Sequence, residues 1–196
     1  MNLTDIRRNL AYRITNPLVG ILSKSGITPN ALTFINLALS IVAAYVIAIN
    51  HLVLGGVLVL VSGLFDLLDG ALARFTKQTT KFGAILDSTV DRISEAAILC
   101  GLLIWYLGRG GRLEIVLIFA VLIGSFLVSY VRARAEGLGW QCQVGLFTRA
   151  ERVIVLAIGL LINQIFIALC VLVAFAFITV VQRLVYLWKQ GKIKGD

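Results

Sequence analysis

The chain has 196 residues, of which 59% are hydrophobic and 14% are charged, with 18 Lys and Arg against 10 Asp and Glu. This composition excludes a disordered chain, a collagen-like repeat and a disulfide-rich secreted module. It also disfavours a soluble domain, which is typically about 45–50% apolar and about 25% charged. We therefore expect much of the protein surface to face lipid.

An amphipathic helix is predicted over residues 4–23. Apolar residues recur at helical spacing from Ile6 to Ile21, opposite basic residues such as Arg7. This pattern is typical of a helix that lies in the membrane interface, and Pro17 is expected to kink or interrupt it. The segment lacks the compact apolar core and the small-residue cleavage site of a signal peptide.

Six apolar stretches follow, and a helix needs about 20 apolar residues to cross the hydrocarbon core of a bilayer. The sequence predicts an all-α integral membrane protein that forms one domain over residues 1–196. Its six transmembrane helices are predicted at 30–50, 52–75, 82–107, 113–131, 150–163 and 165–188. Because the uncharged run over 153–181 is too long for one span, a tight turn is expected at Asn163.

Basic residues are distributed unequally between the two ends of these spans. With the N-terminus inside, nearly all Lys and Arg residues fall on the cytoplasmic side, and the opposite side keeps Arg109 and Arg112. This asymmetry predicts a multi-pass protein of the cell membrane with both termini in the cytoplasm. Because the basic residues lie at the ends of apolar runs rather than on a polar face, nucleic acid is not an expected partner.

Acidic residues interrupt the second and third spans. Asp66 and Asp69 lie three positions apart, and Asp87 and Asp91 lie four positions apart, so each pair shares one face of its helix. The short connection over 75–81 brings both pairs to the cytoplasmic end. A carboxylate inside a membrane helix costs about 2.5–3.5 kcal/mol and indicates a functional site.

These four carboxylates predict a site for divalent cations. Closely placed carboxylates repel one another, and their hard oxygen ligands suit Mg²⁺ or Mn²⁺. A pair of such ions, about 3.5–4 Å apart, can assist the displacement of a phosphate group. One alternative is a structural cluster in which Arg74 and Arg92 neutralise the acids, although two cations do not balance four carboxylates. Glu95 continues the stripe of acids on the third span or pairs with an arginine.

A transporter or cation channel is the alternative from another functional class, because acids within the membrane also line ion paths. Transporters often consist of two related halves with interrupted helices. The sequence contains no such repeat, and its acids cluster at one end of the spans.

Residues 66–91 read D-x2-D-G-x2-A-R-x8-G-x3-D-x3-D. This run resembles the signature of the CDP-alcohol phosphotransferase family at every defined position. The resemblance implies a homodimeric membrane enzyme, with two Mg²⁺ or Mn²⁺ ions per active site, that transfers the phosphatidyl group of CDP-diacylglycerol to an alcohol and releases CMP. The metal ligands it implies are Asp66, Asp69, Asp87 and Asp91. Asp91 would also be the general base for the acceptor hydroxyl.

The same resemblance implies a binding site for the CDP-lipid. Part of it is a T-P-N-x-L-T run before the first span, and part is the acidic motif itself. The residues implied are Asn30, Ala31, Leu32, Thr33, Asp69, Gly70, Ala73, Arg74 and Thr80.

Basic residues near the last three spans indicate the kind of acceptor. Four of them are expected at the same cytoplasmic mouth, namely Arg132, Arg149, Arg152 and Arg183. Guanidinium groups beside an acidic metal site suit a phosphorylated polyol, whereas serine, choline or ethanolamine would not need them. The alternative is an ordinary positive-inside excess.

The sequence around these arginines resembles the phosphatidylinositol-phosphate synthase branch of the family. Arg132 stands where that branch has Lys, and Thr148 stands where it has Glu. The resemblance implies inositol phosphate as the acceptor. A phosphatidylglycerophosphate synthase that uses glycerol 3-phosphate is one alternative, and an archaeal-type lipid donor is another.

Overall fold

The computed structural model describes residues 15, 17–142 and 144–194, and within them it contains helices and turns but no strand. The helices are α1 (Pro29–Ala48), α2 (Leu52–Phe75), α3 (Lys81–Leu107), α4 (Arg112–Gly137), α5 (Arg149–Leu161) and α6 (Ile165–Lys194). Residues 17–22 are also helical. The predicted amphipathic helix over 4–23 lies mostly outside the described residues.

Two helices that build the site, α1 and α3, begin after a threonine whose side chain caps the helix. The Thr28 hydroxyl accepts a hydrogen bond from the Ala31 amide at 3.3 Å, and Pro29 follows at the first helical position of α1. The Thr80 hydroxyl accepts from the Gly83 amide at 2.9 Å at the start of α3. These side chains satisfy amide groups that have no partner within the helix, so the start of each helix is fixed locally.

The start of α5 uses a different cap. The backbone amide of Thr148 donates to the Glu151 carboxylate at 2.7 Å, which is one half of a capping box. At its other end α5 stops at Leu161, and Asn163 takes a positive φ of 55° at the predicted tight turn into α6. The first turn of α5 is therefore set by its own sequence.

The prediction of six transmembrane helices is supported in part. Four helices are long and apolar enough to cross a membrane, and they are α1, α2, α4 and α6. Helix α5 has 13 residues and is shorter than the about 20 that a perpendicular span requires. Helix α3 carries several charges in its first half, including Asp87, Asp91 and Arg92.

Helix α1 packs against both α2 and α3. Helix α5 packs against α2 and α6, and α4 packs against α3 and α6. Fully buried leucines of α3, α5 and α6, such as Leu102, Leu160 and Leu169, form the central core. About half of the surface of Ile41, Phe119 and Ile178 is exposed on the outside of the bundle, as expected for side chains that face lipid.

One close contact between helices depends on a glycine. A Cβ atom at Gly101 of α3 would contact the carbonyl oxygen of Ala44 on α1 and would lie 2.7 Å from its Cα. The two backbones can approach this closely because position 101 has no side chain. This contact fixes α3 against α1 and, with it, the acidic segment of α3 near the site.

Candidate active site

Three carboxylates converge between the second half of α2 and the start of α3. Oxygen atoms of Asp66, Asp69 and Asp87 all lie within 4.8 Å of one another. Asp69 is buried, and the other two are partly exposed. Because α2 and α3 each pack on α1, their acidic faces meet across a space that can hold a ligand.

A hydroxyl from α1 orients the buried member of this cluster. Thr33 Oγ1 donates to Asp69 Oδ2 at 2.9 Å, and both residues are only 3% exposed. The hydroxyl is also 3.2 Å from the Pro29 carbonyl of its own helix. Thr33 is predicted from the sequence as a lipid-binding residue, and here it fixes the carboxylate of a candidate metal ligand.

Arg149, the first residue of α5, connects that helix with both acidic helices. Its Nη1 contacts Asp66 Oδ1 on α2 and lies 2.6 Å from Asp91 Oδ1 on α3. Arg92 is the second cation at Asp91, with Nη1 at 3.5 Å from Oδ2. No Lys or Arg of the described residues forms an ion pair with Asp69 or Asp87.

The donor set fits a divalent cation. Two arginines offset at most two of the four carboxylate charges, which leaves about two negative charges in a largely buried cluster. Converging carboxylate oxygens that keep an unbalanced negative charge are the ligands that Mg²⁺ and Mn²⁺ prefer. Asp66, Asp69 and Asp87 form the group with the shortest mutual distances, and Asp91 lies one helical turn further along α3.

A cleft of about 190 Å³ adjoins the cluster between the start of α1, the end of α2 and the start of α3. Seven of the residues predicted to bind the CDP-lipid line this α1–α2–α3 cleft, namely Asn30, Thr33, Asp69, Gly70, Ala73, Arg74 and Thr80. Ala31 and Leu32 are not among the lining residues, and Leu32 is buried in an apolar cluster with Leu68 and Leu72. Arg74 is exposed and can reach an anionic ligand.

A second, wider cleft of about 840 Å³ lies between α3 and α4. Its polar lining includes Asp91, Arg92, Ser129, Tyr130 and Arg132, together with residues shared with the first cleft. The shared residues are Ala84 and Asp87. The acidic cluster is therefore accessible from two sides, one of which carries the guanidinium groups of Arg92 and Arg132.

The four arginines predicted for an acceptor phosphate have different surroundings. Arg132 is exposed and pairs with Glu136 at 2.8 Å in the α3–α4 cleft, while Arg149 binds the aspartates. Arg152 is 4% exposed and donates to Glu95 at 2.7 and 2.9 Å.

Arg183 is 5% exposed and donates to two backbone carbonyls, those of Val144 and Val128. The guanidinium thereby holds the segment before α5 against α4 and α6. The Leu146 amide donates to the Gln182 side chain at 3.1 Å and adds a second link between this segment and α6. These contacts position the loop that leads into Arg149.

Several residues of the site are not found from the sequence. Gln78 and Thr79 line the α1–α2–α3 cleft from the connection between α2 and α3, where the motif places no fixed residue. Gly83 lines the same cleft, and its place in the motif is a signal that could have identified it. Ser129 and Tyr130 line the other cleft and precede the basic segment of α4.

The model of the CDP-alcohol phosphatidyltransferase family matches residues 26–187 of this chain. The archaetidylinositol phosphate synthase of Pyrococcus horikoshii is 40% identical over 163 residues, which cover 83% of this chain and 84% of that protein. The phosphatidylinositol phosphate synthase of Mycobacteroides abscessus is 37% identical over 188 residues, which cover 91% of this chain and 86% of that protein.

Solved structures of a protein from this family are also similar to the structure of this chain. The phosphatidylinositol phosphate synthase of Mycobacterium tuberculosis with CDP-DAG bound superposes with a TM-score of 0.80 at 34% identity, over 90% of this chain and 94% of that chain. A structure of the same enzyme in complex with manganese and citrate gives a TM-score of 0.78 at 33% identity, over 89% of this chain and 88% of that chain.

Proposed function

This chain belongs to the CDP-alcohol phosphatidyltransferase family, and from that premise we propose that it makes phosphatidylinositol phosphate from CDP-diacylglycerol and inositol phosphate. The observation that carries this proposal is the acidic cluster with a cleft on each side. One cleft contains most of the residues of the CDP-lipid motif, and the other contains Arg92, which is partly exposed, and Arg132, which is exposed. A transferase that joins a nucleotide-linked lipid to a phosphorylated alcohol needs both.

The α1–α2–α3 cleft binds the CDP moiety in this proposal. Asn30 and Thr80 line it from the first residues of α1 and the cap of α3, and Arg74 supplies a guanidinium for a phosphate oxygen. Gly70 and Ala73 leave room because their side chains are small. The CDP-DAG held by the similar enzyme of Mycobacterium tuberculosis supports this assignment.

We assign the binding of two divalent cations, Mg²⁺ or Mn²⁺, to Asp66, Asp69, Asp87 and Asp91. The close carboxylates support a divalent ion here, and so does the manganese in a structure of the similar mycobacterial enzyme. When bound, such ions neutralise negative charge that develops on the phosphate of the departing CMP. Thr33 keeps the Asp69 carboxylate oriented for this role.

Asp91 acts as the general base. It lines the α3–α4 cleft, so a hydroxyl that enters from this side can reach its carboxylate. Asp91 takes the hydroxyl proton as the acceptor oxygen forms a bond to the lipid-side phosphorus of the pyrophosphate. The bond from that phosphorus to the CMP phosphate oxygen breaks, and CMP leaves with the electron pair.

The acceptor phosphate is bound by guanidinium groups at the α3–α4 cleft. Arg132 lines this cleft, and Arg149 lies beside it on Asp91. Arg152 and Arg183 have their guanidiniums engaged inside the protein, so we assign them to holding this cationic region rather than to direct contact with phosphate. A phosphorylated alcohol gives Arg132 and Arg149 an anionic ligand in addition to their carboxylate partners, which a neutral alcohol does not.

An archaeal-type lipid donor is a second candidate substrate. The similarity to an archaetidylinositol phosphate synthase supports it, since that protein is named for an archaeal lipid and the same phosphorylated head group. In this proposal the α1–α2–α3 cleft binds the CDP end of the donor. Both candidate donors share that end, so the experiment has to include both lipids.

We also propose the arrangement in the membrane. All six helices cross the bilayer as one domain, with the acidic cluster and both termini on the cytoplasmic side of the cell membrane. The concentration of Lys and Arg near the acidic ends of α2 and α3 supports this orientation. A homodimer is proposed from the family resemblance alone.

The experiment is an acceptor screen with the purified protein in detergent. CDP-diacylglycerol and the corresponding CDP-linked archaeal lipid are each offered with Mn²⁺ or Mg²⁺, and CMP release is followed. The acceptors are inositol phosphate, glycerol 3-phosphate, inositol and serine. We expect turnover with inositol phosphate and none after Asp91→Asn, while Glu114→Gln in the first turn of α4 serves as a distant acidic control.

The outcome decides between the alternatives. Turnover with glycerol 3-phosphate in preference to inositol phosphate would assign the protein to phosphatidylglycerophosphate synthesis. Equal turnover with inositol and inositol phosphate would contradict the role of the arginines. Absence of CMP release with every acceptor and both donors would refute the proposed function.

A further inference from the structure

Three serines, one each from α1, α2 and α3, line an internal cavity of about 20 Å³. They are Ser40, Ser62 and Ser94, and each is at most 3% exposed. Core residues such as Leu99 line one part of the cavity. Arg149, the first residue of α5, lines another part and also contacts carboxylates of the candidate active site. The cavity therefore lies between the core and that site.

The serine hydroxyls from α1 and α2 already have acceptors. Ser40 Oγ donates to the Asn36 carbonyl at 2.9 Å, and Ser62 Oγ donates to Asn36 Oδ1 at 2.5 Å. The two serine oxygens also lie 2.7 Å apart. Since each hydroxyl has an acceptor within this group, what its oxygen still offers to the cavity is a lone pair that can accept a hydrogen bond.

Two donors on the wall of the cavity have no hydrogen-bond partner among the described residues. One is the hydroxyl of Ser94, which is 1% exposed, and the other is the buried Nε of Arg149. Buried polar groups in folded proteins are nearly always bonded to protein or to ordered water. The protein supplies no acceptor for these two groups, so their acceptor has to be a ligand in the cavity.

We propose that the cavity binds one water molecule, which links α3 to α5 through Ser94 and Arg149. A buried water needs a space of about 10–15 Å³ and typically forms two to four hydrogen bonds. The cavity has room for one such molecule. The two unpaired donors match the two lone pairs of the water, and the oxygens of Ser40 and Ser62 accept hydrogen bonds from its two protons.

The surrounding groups select water over other occupants. A metal ion has no lone pair to accept the hydrogen bond that Arg149 Nε offers. The guanidiniums of Arg149 and Arg152, which both line the cavity, would also repel a cation. A dry cavity would leave both donors unpaired, at a cost in free energy that a bound water removes.

The water makes Ser94 a positioning residue for the transfer reaction. Arg149 meets Asp66 and Asp91 through Nη1. A hydrogen bond from Nε to the water adds a second point of attachment, so the plane of the guanidinium is fixed. In the proposed function this guanidinium binds the acceptor phosphate, and the catalytic consequence of the inference rests on that function.

A crystal structure of the substrate-free protein, at a resolution that shows ordered water, tests the site directly. We expect one density peak in the cavity, within hydrogen-bonding distance of Ser94 Oγ and Arg149 Nε. A well-resolved cavity without such a peak would overturn the inference. This measurement uses the wild-type protein and does not depend on the folding of any variant.

Ser94→Ala is an independent test, because a wet and a dry cavity predict different melting temperatures. If water is bound, the variant loses a hydrogen bond and should melt about 2–4 °C below the wild type. If the cavity is dry, the variant loses an unpaired buried hydroxyl, and its melting temperature should stay the same or rise. Ser23→Ala is the control and should melt like the wild type, since Ser23 lies outside the cavity and its hydroxyl donates to the Gly20 carbonyl at 3.0 Å.

Kinetics separate positioning from general stability. In Ser94→Ala the KM for inositol phosphate should rise about two- to tenfold, which is the equivalent of one neutral hydrogen bond, while kcat and the affinity for CDP stay at the wild-type level. An unchanged KM, or an equal rise in Ser23→Ala, would refute the positioning role. If the wild-type protein releases no CMP, the proposed function fails, whereas the density peak and the melting temperature still decide whether water is bound.

Discussion

The hydrogen bond from Thr33 to Asp69 offers a direct test of the candidate metal site. Thr33→Val removes the hydroxyl and keeps the shape of the side chain. The substitution leaves a buried carboxylate without its donor from α1, since Thr33 and Asp69 are each 3% exposed and their oxygens are 2.9 Å apart. We expect the divalent cation to bind more weakly because one of its ligands is no longer held in orientation.

The expected magnitude follows from two independent considerations. A hydrogen bond to a charged group contributes about 1.5–3 kcal/mol. Loss of a residue that orients a metal ligand typically lowers metal affinity about 10–100-fold. Since a tenfold change in affinity corresponds to about 1.4 kcal/mol, these two ranges agree. We therefore expect the dissociation constant for Mn²⁺ to rise about 10–100-fold in Thr33→Val.

Isothermal titration calorimetry of the purified, substrate-free protein with Mn²⁺ measures this change. Thr179→Val is the matched control, because Thr179 is also fully buried and donates to a carbonyl of its own helix, that of Phe175 at 2.7 Å. The control should bind Mn²⁺ like the wild type. An unchanged dissociation constant in Thr33→Val, or an equal rise in both variants, would refute the reasoning.

Three further predictions concern packing, the nucleotide cleft and the metal. Gly101→Ala should lower the free energy of unfolding by about 1–3 kcal/mol in thermal melts, because the new Cβ atom collides with the backbone of α1. Gly137→Ala is the control and should not destabilise the protein, because a Cβ atom at that position has no neighbouring atom within 4 Å. Arg74→Ala should weaken the binding of CDP about tenfold or more, as measured by calorimetry. Lys81→Ala removes another exposed cation and serves as the control. An equal loss of CDP affinity in both variants would contradict a specific contact with Arg74. Chelation with EDTA should abolish CMP release and added Mn²⁺ should restore it; full activity after exhaustive chelation would exclude a metal requirement.

The sequence predicts the acidic cluster well because helices impose a fixed spacing on their residues. Asp66 and Asp69, like Asp87 and Asp91, must share a helix face once the helices exist, and a short connection brings the two faces to the same end. Most of the predicted lipid-binding residues line a single cleft for the same reason. The all-helical fold likewise follows from the apolar runs.

The partners of the arginines could not be predicted in this way. Arg149, Arg152 and Arg183 all lie near the same end of the bundle, but their contacts depend on how α5 and α6 are rotated and on the loop between α4 and α5. Arg183 binds backbone carbonyls. Every residue has a backbone carbonyl, so the sequence does not indicate which ones an arginine will contact. The preference of Arg152 for Glu95 over a free anion depends on burial that only the packed helices create.

The two clefts share Ala84 and Asp87 and otherwise have separate linings. With the donor in one cleft and the alcohol in the other, as we propose, both substrates can be bound at the same time. Such an arrangement calls for a ternary complex and a direct transfer in one displacement, without a lipid-bearing enzyme species between two half-reactions. Initial-rate plots at several fixed concentrations of the second substrate would then intersect rather than run parallel.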